Sequence, residues 1–222
     1  MITILAERRL VAGARAFGAL TWCHTPAIVE TQRSVCFSEV PLDRLDRLVE
    51  RRRTSYGIGF RQDFLTQAGG GRVWYVDNNG ELARTLRSYV NAAHGSPVDL
   101  QNPILRITPF VDYPGDYAGG PYRFEWEREW RVPRELRFGP DDVAFLFIPE
   151  THHDRARESL EDAHENHTGP AYVCPYIDPL WRDPEIQAAV AAVAPPAPLA
   201  RPPLSYYPPS GCARPGTSRR IG

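Results

Sequence analysis

The stretch RFEWEREWRV, Arg123 to Val132, sets an acidic residue at every second position with aromatic residues between. A period of two marks a β-strand, because successive side chains point to opposite faces. Phe124, Trp126, Trp130 and Val132 then share one face with Arg128, while Glu125, Glu127, Glu129 and Arg131 share the other. The aromatic face anchors such a strand in a core. The carboxylates stand on a rigid element, roughly 6–7 Å apart at a rise of about 3.3 Å per residue. Their repulsion favours pairing with Arg131 or with arginines of neighbouring strands. An acidic face of this kind is either a solvated surface with cross-strand ion pairs or the seat of a catalytic carboxylate.

The surrounding chain supplies further short elements. A helix is expected over Thr3–Leu10, with Gly13 as its break, and a strand over Val35–Phe37 ending at Ser38. Leu42, Leu45, Leu48 and Val49 recur at helical spacing after Pro41. In TSYGIGFRQDFL, Tyr56, Ile58 and Phe60 alternate with Gly57, Gly59 and Arg61, which predicts a strand with one face stripped of side chains. Paired glycines weaken a strand unless backbone, ligand or a crossing sheet must approach closely. AGGGRVWYV reads as a turn and a strand. Residues 80–93 read as a helix with Leu82, Leu86 and Tyr89 as its apolar stripe. DVAFLFIP is a buried central strand, residues 151–165 a polar helix, and GPAYVCPYIDPLW an extended segment, since its prolines exclude a long helix. The fold class implied is α+β: a single domain over residues 1–190, with an irregular mixed sheet and flanking helices. Residues 191–222 form a proline-rich tail, with eight prolines from Pro195 onward, expected to be disordered or to lie on the surface.

Composition narrows the chemistry. All 26 basic residues are arginine, which removes any lysine Schiff base or phosphate-loop lysine. A formal charge of -1 gives no global electrostatic case for nucleic acid or membrane. The four cysteines form no CxxC pair and no disulfide scaffold; Cys36 is expected as a buried structural cysteine. The N-terminal residues read as neither signal peptide nor membrane span, so a cytoplasmic protein without membrane association is expected. His152, His153, His164 and His167 lack an HExxH or cysteine context and read as surface residues. Arg44, Arg47 and Arg51–Arg53 are interrupted by Asp43, Asp46 and Glu50, and read as a solvated helix end.

The ordered blocks RSVCFSEVPL, SYGIGFRQDFL, VWYV, LRITPFVDYPGDY, RFEWEREWRVP and DVAFLFIPE resemble the AbiGi-type family of bacterial abortive-infection proteins over roughly residues 5–185. That resemblance implies phage defence in a toxin–antitoxin setting, with a cognate toxin or antitoxin as partner. A more distant likeness is to DarT-type ADP-ribosyltransferases, through VCFSE as an early strand and Glu129 followed by Trp130 on a later one. It implies an ADP-ribosyltransferase-like scaffold, NAD as cofactor, and a nucleic-acid or protein acceptor. Glu129 would stabilise the oxocarbenium-like ribose as nicotinamide leaves, and Glu127 would orient or deprotonate the acceptor. Ser38 on the early strand, Arg61 at the pyrophosphate, and Tyr56 or Tyr75 stacked on nicotinamide complete the implied cofactor site. The short His-aromatic-Thr motif that such transferases carry before the first helix has no match here; His24 and Thr25 follow that helix. A catalytically silent antitoxin or regulatory binding protein is the alternative reading.

Overall fold

The computed structural model describes residues 1–193 except Trp22, Val40, 94–98, 118–119 and 123–126. The proline-rich segment and the first four residues of RFEWEREWRV, Glu125 among them, therefore lie outside the described residues.

Helix α1 (Ile2–Glu7) is shorter than its sequence suggests. Arg8 adopts a left-handed conformation with φ 52°, which ends the helix and turns Arg9–Val11 into strand β1. A 3-10 turn at Gly18–Leu20 and helix α2 (Pro26–Gln32) lead into β2 (Ser34–Ser38). Then come α3 (Leu45–Arg52), β3 (Gly57–Phe60), α4 (Gln62–Gln67), β4 (Gly71–Arg72) and β5 (Trp74–Tyr75). Helix α5 (Glu81–Ala93) and the short α6 (Ile104–Ile107) precede a 3-10 turn at Thr108–Phe110. Strands β6 (Val111–Asp112), β7 (Gly115–Tyr117), β8 (Gly120–Tyr122), β9 (Glu129–Pro133), β10 (Glu135–Arg137) and β11 (Val143–Phe147) follow. The described chain closes with α7 (His153–Glu165), β12 (Tyr176–Ile177) and α8 (Asp183–Ala191).

The result is a single α+β domain whose sheet is broken into small pieces. Two three-stranded sheets dominate, ordered β2–β9–β4 and β12–β11–β3. The first is antiparallel throughout; in the second, β11 is central, parallel to β12 and antiparallel to β3. Burial of Val143, Leu146 and Phe147 explains why DVAFLFIP is so continuously apolar. Leu5 of α1, Phe138, Leu146, Ile148 and Tyr176 form one core cluster around this sheet.

The glycine-stripped strand has a specific cause. Gly59 lies opposite Phe145 and Gly57 opposite Phe147 across the antiparallel pair. A Cβ on Gly59 would come within 2.2 Å of the Phe145 ring, and one on Gly57 within 2.9 Å of the Phe147 ring. The two phenyl rings lie in the space that β3 leaves open. Gly-x-Gly on one strand thus answers Phe-x-Phe on its neighbour, a cross-strand pairing of empty and filled positions.

Helix α5 corrects one expectation. Ala83, Leu86 and Val90 are buried, whereas Leu82 and Tyr89 are exposed. Ala83 and Leu86 pack with Ala19, Val76 and Val111, and Val90 packs with Leu20, Ile28 and Leu105. The small Ala83 marks the face that comes closest to its neighbours, and size alone misled the choice of stripe. No helix of the described residues is long and apolar enough to cross a membrane.

Candidate functional site

Strand β9 carries the alternation that the sequence promised, over a shorter span. Glu129 and Arg131 point to one side and are buried, while Trp130 and Val132 occupy the other. Before it the alternation fails at Arg128, which has φ 44°. Glu127 therefore precedes β9, and the pattern of carboxylates along one flat solvated face does not form: Glu127 and Glu129 are both buried. A buried carboxylate needs compensating partners, and each has them.

Arg131 is the centre of the larger cluster. Its side chain is fully buried, and its guanidinium uses three nitrogens. Nε donates to Glu129 Oε1 at 2.9 Å, Nη1 to the carbonyl oxygen of Pro109 at 2.7 Å, and Nη2 to Asp112 Oδ2 at 2.5 Å. Nη2 also reaches Glu129 Oε2 at 3.2 Å, which makes the Glu129 pair bidentate. The Phe17 ring lies against the guanidinium, 5.0 Å from its carbon. Although burial opposes it, hydrogen bonding and the charges of Glu129 and Asp112 hold Arg131 protonated. The Tyr75 hydroxyl donates to Glu129 Oε2 at 3.3 Å; its pKa is raised by burial and then by the Glu129 charge.

Cys36 lies opposite Arg131 in the β2–β9 register. It is exposed rather than buried, contrary to expectation, although it shares its face of β2 with the buried Ser34. Part of the residue reaches solvent, yet burial of the thiol and the neighbouring Glu129 charge push it up to about 12. Ionisation, not access, then limits its reactivity. At pH 8, alkylation of Cys36 by iodoacetamide is expected to run roughly 30–60-fold slower than at a thiol with the ordinary value of 9.0, the smaller thiolate fraction being partly offset by the greater nucleophilicity of a more basic thiolate. Mass spectrometry of peptides containing Cys36 follows this directly, and Glu129→Gln should accelerate it.

Glu127 belongs to a second cluster. Its Oε2 accepts a hydrogen bond from Ser38 Oγ at 3.0 Å and one from Arg52 at the end of α3. Its own carbonyl accepts from the Glu39 N–H at 2.9 Å. Glu39 in turn holds Trp130 Nε1 at 2.8 Å together with Arg72 and Arg128. Burial tends to raise its pKa, but the indole N–H and the two arginines outweigh that and hold it low. Arg52 thus has a structural partner that the solvated-helix-end reading did not assign.

Ser38 and Arg52 stand at one side of a cleft of about 490 Å³ between the two principal sheets and α3. That volume falls within the range of ordinary ligand pockets. Its walls are mainly apolar: Phe37 and Trp130 from the first sheet, Phe145 and Phe147 from the second, and Leu45 and Leu48 from α3. Tyr56 lines it too, with its hydroxyl 2.6 Å from His152 Nδ1.

The sequence-derived residues therefore divide among three places. Ser38 and Tyr56 line the cleft, with Glu127 bonded to Ser38 behind them. Glu129 and Tyr75 belong to the Arg131 cluster. Arg61 joins neither and lies 3.5 Å from Asp63 at the start of α4. Asp112, Phe145 and Phe147 were not singled out as site residues. Asp112 is separated from Arg131 by 18 intervening residues, and its pairing carries no local signal. The Phe-x-Phe pair was readable as the complement of Gly-x-Gly. Among the described residues there is no group of three or more His, Cys, Asp or Glu able to hold a metal ion.

A family model described as "Putative abortive phage resistance protein AbiGi, antitoxin" matches residues 24–138. The chain belongs to the AbiGi family. No curated protein and no solved structure matches it. The AbiGi match includes β2, β3, β4, β9 and α3, and thus the carboxylates of both clusters and the whole of the first sheet. It stops before β11, which supplies the Phe145 and Phe147 wall of the cleft.

Proposed function

We propose that this chain is the antitoxin of a phage-defence pair, acting in the cytoplasm by binding its cognate toxin and not by transferring ADP-ribose. Membership of the AbiGi family supports the defence role. The observation that carries the binding reading is the state of Glu129: both carboxylate oxygens accept hydrogen bonds from inside the protein, and a fully buried arginine neutralises the charge. A carboxylate that stabilises an oxocarbenium ion must bring uncompensated negative charge to the ribose. Here that charge is spent on holding Arg131.

A second reading, an ADP-ribosyltransferase-like scaffold using NAD on a nucleic-acid or protein acceptor, is favoured by one observation. Ser38 lies in register with Glu129 and bonds Glu127, so the early and late motif strands do come together. In that reading Glu129 and Glu127 are catalytic, and Ser38, Tyr56, Arg61 and Tyr75 hold the cofactor.

One substitution separates the two. In the binding reading Glu129→Gln keeps toxin affinity within about twofold, because Asp112 and the Pro109 carbonyl still hold Arg131. Titration calorimetry against the toxin measures this. Nicotinamide release from NAD by the unsubstituted chain, abolished in Glu129→Gln, would establish the transferase reading instead.

A further inference from the structure

We infer that the cleft between the two principal sheets and α3 binds a small aromatic carboxylate, a property beyond the antitoxin reading. Its polar end is built from buried groups. Among the described residues, two charged side chains line the cleft, Glu39 and Arg52. Arg52 is held from behind: its Nη2 donates to Oε2 of the buried Glu127, and Ser38 Oγ donates to the same oxygen at 3.0 Å. Half of the Arg52 side chain nevertheless stays exposed. A guanidinium carries five N–H donors in a planar fork, so donors remain for a second carboxylate.

The aromatic walls are fixed before any ligand arrives. Phe145 and Phe147 meet edge to face, with ring centroids 4.8 Å apart, in the space left by Gly59 and Gly57. Phe37 and Phe60 also meet edge to face, at 5.8 Å and 88°. Trp130 is held through Nε1 by Glu39, and Tyr56 through its hydroxyl by His152 Nδ1. All six rings line the cleft, and each has a partner that fixes it. The volume of about 490 Å³ is therefore organised in advance, and a ligand need not order its walls on binding. Rings presented in this way favour a planar aromatic body, which packs on them offset or edge to face, over a flexible alkyl chain.

Local charge selects the sign of the ligand. The Glu39 carboxylate at this end is taken up by Arg72, Arg128 and the Trp130 indole. Glu39 and Glu127 thus face the guanidiniums of Arg52, Arg72 and Arg128, which leaves one positive charge in excess. Of those three arginines, Arg52 is the one that lines the cleft. An anionic group docks against it, whereas an ammonium in the same place would meet a like charge. A carboxylate suits the planar fork, because it can accept two parallel N–H bonds.

Ligand-observed NMR titration of the full chain with naphthalene-2-carboxylate tests this. Binding is expected to be saturable. Naphthalene-2-methanol, which lacks the charge, and octanoate, which lacks the ring, should each bind about tenfold more weakly. Arg52→Gln should bring the acid down to the level of the alcohol while leaving the alcohol within about twofold. Leu48→Trp, which fills the cleft from α3, should abolish binding of both naphthalene probes, and it serves as the test should Arg52→Gln fail to fold. Equal affinity for acid and alcohol in the unsubstituted chain would overturn the proposal. So would absence of acid binding at about 1 mM, or binding that survives Leu48→Trp. The measurement needs neither toxin nor NAD, so its outcome stands apart from the antitoxin reading.

Discussion

Arg131→Met is expected to destabilise the protein by about 3–5 kcal/mol, because removing one partner of a buried ion cluster leaves the others uncompensated. Methionine approximates the length of the arginine stem and keeps much of its packing, so the loss measured is mainly electrostatic. Glu129 and Asp112 would both remain with their charges turned inward, and the Pro109 carbonyl would lose its donor. Urea unfolding should show a lower midpoint with an unchanged slope. The triple substitution Arg131→Met, Glu129→Gln, Asp112→Asn should recover most of that loss, since no buried charge then lacks a partner. If Arg131→Met alone costs under about 1 kcal/mol, the cluster is not a stability element and Glu129 is less constrained than its bonds imply.

The same cluster shows what the sequence could reveal about this molecule. Period-two patterning located β9 and its two unlike faces, and the pairing of Glu129 with Arg131 follows from their sharing a face two residues apart. The buried central strand β11 was legible from its continuous apolar run, and Gly57 and Gly59 announced a close approach. Three features were hidden, each for a physical reason. The left-handed Arg128 ends the alternation, and a non-glycine residue there gives no warning. Asp112 reaches Arg131 only through the tertiary fold. Cys36 was placed inside on the general habit of cysteine, and parity gives no warning of its exposure, since Ser34 on the same face of β2 is buried. Glu127 and Glu129, read as neighbours on one strand face, fall instead into two clusters, because the left-handed Arg128 stands between them. Arg61 was assigned a cofactor role by its position beside the glycine strand, but its nearest anionic partner is the local Asp63.

Gly18→Ala is expected to cost about 3 kcal/mol or more, although no side chain with any function is removed. Gly18 has φ 80°, which an alanine adopts at a cost, and its missing Cβ would fall 1.9 Å from the carbonyl oxygen of Thr108. The next nearest atoms are backbone atoms of Pro109, at 2.9 Å. A flexible side chain could swing aside, as the terminal atoms of a long residue would, but a peptide carbonyl moves only with its whole turn. The turn that must move is Thr108–Phe110, and its Pro109 carbonyl accepts the Nη1 bond of Arg131. On the other side, Phe17, the residue before Gly18, lies against the same guanidinium. Relieving the clash therefore pulls two supports away from Arg131 at once. The effects of Gly18→Ala and Arg131→Met should accordingly be non-additive, with the double variant about 1 kcal/mol or more better than the sum of the singles. A double-mutant cycle in urea reads this coupling. Strict additivity would mean that Gly18 serves the packing of its turn alone and that the Arg131 cluster is held by its carboxylates without help from this contact.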